Sequence, residues 1–396
     1  MIEFLLLLLL VFFPFGNLFR IPLNNGITVL PNDFILAGLF VVFIYNVLKK
    51  RTIHNTSLFK AIGIFLMVAA LSLLLRIQDI PFKDFIVSLG YFIRFILYLQ
   101  LLFVFQFVHK NFIKKYIQYM YVIGVVIIIV GLLQYFFYSD LRPFVYLGWD
   151  EHYLRLFGTF LDPNFTGALL VLFLLFTLGY SQSKGAMKAE QFVIIASTLL
   201  AIFLTYSRSS YIMLLLSSTT YFLLSQQIKK IGVFFIIAIT IFIIIPKNLP
   251  SEGVNLLRTA SINARQDEYK KALVIIKDNP LLGVGFNTLR YTRVRYGFSE
   301  PQDAAGSLST GGFPNSLLVV AATSGIIGLL GYLNIWRLII LQTFRQKAYI
   351  RALILASIIG LFTHALFENT LFYPFVMMWI FLLIGVFGKH ANDLGL

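Results

Sequence analysis

Long, uninterrupted apolar runs recur along almost the whole 396-residue chain. They lie near 4–18, 29–48, 58–75, 85–108, 116–137, 163–180, 190–206, 209–226, 231–246, 316–341, 350–367 and 371–387. A helix needs about 20 mostly apolar residues to cross the hydrocarbon layer, fewer where its ends pack on protein. Only helices and closed barrels satisfy their backbone polar groups in lipid, and continuous rather than strictly alternating runs exclude a barrel. The expected fold class is an all-α integral membrane protein with about twelve transmembrane helices, the first, seventh and ninth being the weakest. Composition agrees. Charged residues make up 12% and hydrophobic ones 59% of the chain, against about 25% and about 45–50% in a water-soluble domain. That excludes a soluble enzyme, a disordered chain and a coiled coil.

Charge orients the spans. Lys49-Lys50-Arg51, Lys110 with Lys114-Lys115, Lys184 with Lys188, Lys229-Lys230, and Arg345 with Lys347 and Arg351 fall at every second connection. By the positive-inside rule those connections are cytoplasmic, so both termini are expected there, and Lys389 agrees. The net charge of +15 follows from such loops, and no nucleic-acid partner is expected. Met1-Ile2-Glu3-Phe4 lacks a basic n-region and no small-residue cleavage site follows, so the first run reads as a retained helix. The three parts expected are a membrane domain over 1–246 with nine spans, a large outer loop over 247–315, and a membrane domain over 316–396 with three spans and a cytoplasmic tail. Within the loop, Tyr269, Ala272, Leu273 and Ile276 recur at helical spacing and predict an amphipathic helix against the membrane body. Asn279-Pro280 ends it and Gly283-Val284-Gly285 turns the chain. No internal repeat is present.

The cations divide by type. The inner set holds twelve Lys and three Arg, the outer half five Lys and eleven Arg. Either residue sets topology, but the planar guanidinium fork matches two phosphate oxygens. The outer face therefore suits an anionic, phosphate-bearing ligand. Arg94 falls near the middle of its span, where a charge faces either a polar cavity or a partner helix. Arg208, in Thr205-Tyr206-Ser207-Arg208-Ser209-Ser210, occupies a very short outer turn. Asp162 or Asn164, beside Pro163, is placed to cap the sixth span or to form a polar lip on an outer cavity. His364 and Glu368 are four apart, which on a helix gives one face and either a general base with its orienting carboxylate or a tie between helices. Arg155 and Arg258 read as ordinary surface charges.

The chain has no cysteine and five scattered histidines, which excludes disulfides, thiol catalysis and Cys-ligated metal. No metal and no cofactor are expected.

Several segments, in order, resemble the superfamily of O-antigen ligases and O-antigen or capsule polymerases. Gly158-Thr159-Phe160 with Asp162-Pro163-Asn164 resembles its GTF-x-NPN stretch, and Tyr206-Ser207-Arg208-Ser209 its serine–arginine turn. Arg265, Ala272-Leu273, Ile275-Ile276-Lys277 and Pro280-Leu281-Leu282-Gly283-Val284-Gly285-Phe286 resemble the start of its large periplasmic loop. Asn315-Ser316-Leu317-Leu318 with Thr323-Ser324-Gly325-Ile326-Ile327-Gly328 resembles the loop's exit, and His364 with Glu368 is similar to its late histidine–glutamate helix. The likeness covers roughly residues 150–385.

The resemblance implies about twelve helices, an outward-facing cavity under a periplasmic loop, and residence in the bacterial inner membrane. It implies glycan transfer from an undecaprenyl-pyrophosphate carrier without nucleotide sugar or metal, with Arg208 and Arg265 binding the pyrophosphate and Arg290 a further candidate for it. Glu368, His364 and Asp162 are candidate bases, and Arg94, Asn164 and Asn315 candidate binding residues. Ligases typically carry histidine just before the asparagine at the loop exit, and here that place holds Pro314. A polymerase acting on lipid-linked repeat units is therefore expected, in the company of a flippase and a chain-length regulator. A ligase using lipid A-core as acceptor is the nearest alternative. A glycan flippase or anion transporter is the alternative of another class, and Arg94 is the feature most favourable to it.

Overall fold

A computed structural model of the protein describes residues 1–23, 27–50, 53, 56–185, 188–247, 249–300 and 311–388. Arg51 and Lys389, named above, lie outside them. Each of the twelve apolar runs forms a helix: α1 Ile2–Phe12, α2 Pro31–Lys50, α3 Thr56–Leu74, α4 Phe82–Leu99, α5 Lys110–Phe137, α6 Pro163–Ser183, α7 Ala189–Leu204, α8 Arg208–Leu224, α9 Ile228–Ile244, then, past the loop, α12 Ser316–Thr343, α13 Ala348–Ala365 and α14 Pro374–Gly388. Seven of these, α2 to α6, α12 and α13, are long and apolar enough to cross a membrane by length and composition. Helices α1, α7 and α14 are shorter apolar segments. The loop adds α10 Ala260–Asp278 and α11 Leu289–Arg295. Two short strands, β1 Ile21–Leu23 and β2 Ile27–Val29, pair antiparallel between α1 and α2.

Helix α6 is apolar on every side, as a helix with no solvent or lipid face must be, and it is the most enclosed of the long helices. It packs against α7, α8, α13 and α14. Small residues set these approaches. Gly179 of α6 meets Leu353 of α13, and Gly360 of α13 meets Ser217 of α8, each with no space for a larger side chain without movement. The first helix, weak in the sequence, is anchored by Phe13, which is fully buried against Phe160, Phe375 and Trp379.

Helix α12 is broken. Gly325 adopts φ 65°, ψ −172° within it, and a Cβ there would lie 2.0 Å from the Leu281 carbonyl oxygen. The interruption frees backbone groups that the preceding loop satisfies. Val284 N–H donates to Ala322 O (2.9 Å), Gly285 N–H to Thr323 O (3.0 Å), and Ile326 N–H to Pro280 O (2.8 Å). Ser72 of α3 donates to Leu282 O and Thr323 O at 2.5 and 2.7 Å, fastening the same point from the other side. Gly283 (φ 69°) is pressed against Thr323 and Ala322 backbone, so the expected turn at 283–285 is also a docking point.

The loop helix α10 forms and ends at Asp278, before Pro280, and most of its expected face packs on the body: Ala272 is fully buried and Tyr269 and Ile276 are partly buried, while Leu273 is 57% exposed. The face also takes in Arg265, Glu268 and Ile275, which the apolar pattern did not include because part of it is charge that becomes paired on packing.

Candidate functional site

Helices α4, α6, α10, α11, α12 and α14, with the stretches before α2 and α6 and the turn between α13 and α14, surround a cavity of about 690 Å³. Its wall carries Arg20, Arg94, Asp162, Arg265, Arg293 and Glu368. Four of these, Arg94, Asp162, Arg265 and Glu368, were singled out in the sequence, far apart.

Asp162 is built in by the start of α6. Its Oδ1 accepts from Asn164 N–H (2.7 Å) and Phe165 N–H (3.1 Å), with Pro163 in the first turn. Asp162, and not Asn164, is the cap. The preceding Gly158–Phe160 turn is fixed by Gln134, whose Oε1 accepts from Phe157 and Gly158 N–H at 2.9 Å, and by Asn17, whose amide donates to Phe160 O at 2.7 Å. Burial raises the Asp162 carboxyl to about 6, helped by Asp150 and opposed by the two N–H bonds and Arg155.

Glu368 and Arg265 form an ion pair between the α13–α14 turn and α10. Burial raises Glu368 to about 7, with Arg265 opposing and Asp162 adding. This is the range in which a carboxyl both holds and releases a proton near neutrality. The turn carrying it is well secured. Ser316 Oγ donates to Glu368 O (3.2 Å), Asn315 Nδ2 to Leu366 O (3.2 Å), and Tyr269 OH also donates to Leu366 O.

The expected shared helix face of His364 and Glu368 does not exist. Helix α13 ends at Ala365, so Glu368 turns to Arg265 instead. His364 is fully buried and off the cavity wall. Its Nε2 lies 3.1 Å from Ser209 Oγ and 3.4 Å from Ser210 Oγ, and its Nδ1 2.6 Å from Thr370 Oγ1.

Arg94 pairs with Asp33 at 2.6 Å and also donates to Thr28 O, while facing the cavity. Arg208 donates to Leu256 O (3.4 Å), Arg258 O (2.9 Å) and Ser261 Oγ, tying α8 to the residues that lead into α10; it is not on the cavity wall. Asn315 caps α12 through Leu317 and Leu318 N–H at 2.9 and 3.1 Å. Asn164 receives Arg155 at 3.4 Å. Arg290 lines an adjoining groove rather than this cavity.

Arg155 is a correction. It is 4% exposed, not a surface charge. It donates to Thr205 O (2.8 Å) and Tyr206 O (3.4 Å), joining the Gly158–Phe160 turn to the serine–arginine turn. Burial, then Arg258, lowers it to about 10, so it remains cationic. Arg258 is half-buried and donates to Gly253 O and Asn255 O at 2.5 and 3.0 Å. Nothing in the local polarity of 150–158 marked Arg155 as interior. Arg20 was also missed, a lone cation after an apolar run.

Asp150, His152 and Asp162 place one ligand atom each within 4.8 Å of one another, a grouping that sequence spacing did not disclose. One Asp162 oxygen is already the helix cap and His152 Nδ1 lies 3.5 Å from Arg155. Burial first, then Arg155 and Arg258, lowers His152 to about 3, so the ring is neutral.

The arrangement as a whole is a polar, arginine-bearing chamber with two acids poised near neutrality, roofed by a loop and walled by apolar helices. No curated protein matches the chain. The family model described as O-antigen ligase matches residues 192–333, from α7 through the loop into α12, and the likeness of this chain to the superfamily of O-antigen ligases and polymerases thus rests on a matched domain as well as on the order of its motifs.

Proposed function

We propose that the protein is a polysaccharide polymerase that transfers glycan from an undecaprenyl-pyrophosphate carrier to the next lipid-linked repeat unit, at the periplasmic face of the bacterial inner membrane. The observation that carries this reading is the Arg265–Glu368 pair on a cavity that also holds Asp162 and Arg94. A hydroxyl of the incoming unit attacks the anomeric carbon, the bond from that carbon to the pyrophosphate oxygen breaks, and undecaprenyl pyrophosphate leaves with the electron pair. Glu368 or Asp162 takes the hydroxyl proton. Guanidinium groups stabilise the charge on the leaving group, where positioned donors act most strongly. A leaving group near its charged form needs no protonating acid.

The ligase reading, with lipid A-core as acceptor, is favoured by the description of the matched family model. Pro314 before Asn315 at the loop exit favours the polymerase. Incubating the purified protein with a lipid-linked repeat unit tests both. A ladder of products supports a polymerase, transfer only on adding lipid A-core supports a ligase, and movement across the bilayer without new bonds overturns both.

A further inference from the structure

Three of the four guanidinium groups on the cavity wall are paired with carboxylates: Arg94 with Asp33, Arg265 with Glu368, and Arg293 with Glu268. Arg20 is not. Among the described residues its side chain makes no ion pair or hydrogen bond, and it lies over the Trp149 ring at 4.9 Å. Its position is nonetheless firm. Its backbone N–H donates to Asn17 O at 3.1 Å, and the Asn17 side chain is held by Phe160 O and Tyr373 OH at 2.7 and 2.9 Å. Gly16 (φ 54°) passes so close to the Thr159 carbonyl that no Cβ fits between them.

Arg20 and Trp149 also belong to a second concavity of about 670 Å³ that continues from the first. Arg290 also lies on it, and the rest of its wall is mainly apolar, with Leu18, Leu23, Val130, Tyr138, Phe144 and Leu147. Leu18, Leu23, Tyr138 and Leu147 are 46–56% exposed along it. An apolar groove that opens into a polar chamber at a cation with no carboxylate partner among the described residues has the form of a site for an anionic amphiphile: the groove takes a chain and the cation takes the charge where chain and head meet.

We propose that Arg20 is the residue on which a polyprenyl-linked pyrophosphate turns from the apolar groove into the reaction chamber, with the first isoprene units along Leu18, Leu23 and Leu147 and the glycan toward Glu368. The polyprenyl donor is the occupant because the head must lie in the chamber that holds the reacting acids, and this inference rests on the transfer reading above. Arg20, rather than the paired arginines, provides the first contact, since no carboxylate has to be displaced.

The intact protein in nanodiscs gives a direct readout. Trp336 and Trp379 are buried, so Trp149 beside Arg20 is the tryptophan whose emission a bound head would change. Undecaprenyl pyrophosphate should shift that emission saturably. Arg20→Ala, which keeps the backbone bond to Asn17 and loses no side-chain hydrogen bond among the described residues, should melt like the wild type and bind at least about tenfold more weakly, as loss of one charge-assisted hydrogen bond requires. Leu147→Glu, which places a like charge on the groove wall, should also weaken binding. Phosphatidylglycerol, a singly charged phosphodiester on two acyl chains, should compete poorly. Unchanged affinity in Arg20→Ala, or equal competition by phosphatidylglycerol, overturns the proposal. Arg20-dependent binding without glycan transfer supports the site and overturns only the polymerase reading; transfer with binding indifferent to Arg20 does the reverse.

Discussion

Arg265 and Glu368, separated by 103 residues in sequence, meet as an ion pair on the cavity wall. One comes from a soluble-looking loop helix and the other from a turn between two apolar helices. Packing α10 on the body thus brings a cation and a buried carboxylate together.

A pH profile follows from that pairing. The active form of a base is the ionised one, and the Glu368 carboxyl is raised by burial to about 7. Turnover should therefore rise through about pH 7 and level off above it, falling about tenfold per unit on the acid side. Glu368→Gln should lower turnover by about 10²–10⁴, the usual worth of a positioned base, and abolish that limb. An acid limb that lies near pH 6 and persists in Glu368→Gln would transfer the role to Asp162.

Arg155→Lys is expected to lower stability. The guanidinium donates to Thr205 O, Tyr206 O and Asn164 in a buried site. An ammonium reaches fewer of these acceptors, and each buried group left without its partner costs about 1–3 kcal/mol. Arg258→Lys, at a half-buried position, should stay within about 1 kcal/mol of wild type. Thermal unfolding of the purified variants compares the two, and equal melting temperatures would return Arg155 to the surface.

The sequence disclosed the spans because a membrane helix advertises itself through composition alone. Each apolar run from 4–18 to 371–387 became a helix. The site was legible only in part. Arg94 stood out because a charge within an apolar span is rare and costly, Asp162 as a cap beside Pro163, Glu368 by its spacing from His364, and Arg265 through the resemblance of its segment. Their partners did not, since an ion pair between residues 265 and 368 depends on tertiary packing. The same dependence hid the charged part of the α10 face, where Arg265 and Glu268 look solvated until Glu368 and Arg293 close on them. His364 and Glu368 were misread by extending a helix three residues past its end. Arg20 and Arg155 gave no local signal, because burial and exposure of a lone arginine look alike in a string of residues.

Chelation should leave glycan transfer intact. Asp150, His152 and Asp162 are the one described grouping with ligand chemistry, yet one Asp162 oxygen caps α6 and Arg155 adds positive charge beside His152. A divalent ion would compete with both. Activity lost in EDTA and restored by a divalent ion, together with its loss in His152→Ala, would give the cluster a catalytic ion.

The break in α12 makes a folding prediction. Gly325→Ala places a Cβ at 2.0 Å from Leu281 O at a φ of 65°, and backbone rather than a flexible side chain must move. Folded yield should fall steeply, by more than about 3 kcal/mol of stability. Gly63→Ala, on α3 where a Cβ meets nothing within 4 Å, should be neutral or stabilising by up to about 1 kcal/mol. Detergent-solubilised yield on size exclusion measures both, and a normal yield for Gly325→Ala would show that the kink is not required.

Arg208 and Arg265 carry the last prediction. If both grip a pyrophosphate, lysine keeps the charge but loses the two-pronged hydrogen bonding, so Arg→Lys should be nearly as damaging as Arg→Ala. An interaction that strengthens as the leaving group departs is worth roughly 2.7–4 kcal/mol, about 10²–10³ in rate. The structure sharpens the test, because the two arginines differ in setting. Arg265 faces the cavity with Glu368, whereas Arg208 holds Leu256, Arg258 and Ser261 and lies off the cavity wall. A leaving-group contact lowers turnover at unchanged melting temperature, while a clasp on the loop lowers both together. Arg265→Lys should show the first pattern. Arg208→Lys shows it only if the loop moves and releases the guanidinium to the substrate. Polymer ladders from a strain lacking its own copy, read beside membrane levels and melting curves, separate these outcomes, and near-normal ladders from both lysine variants would leave only generic positive charge and end the clamp.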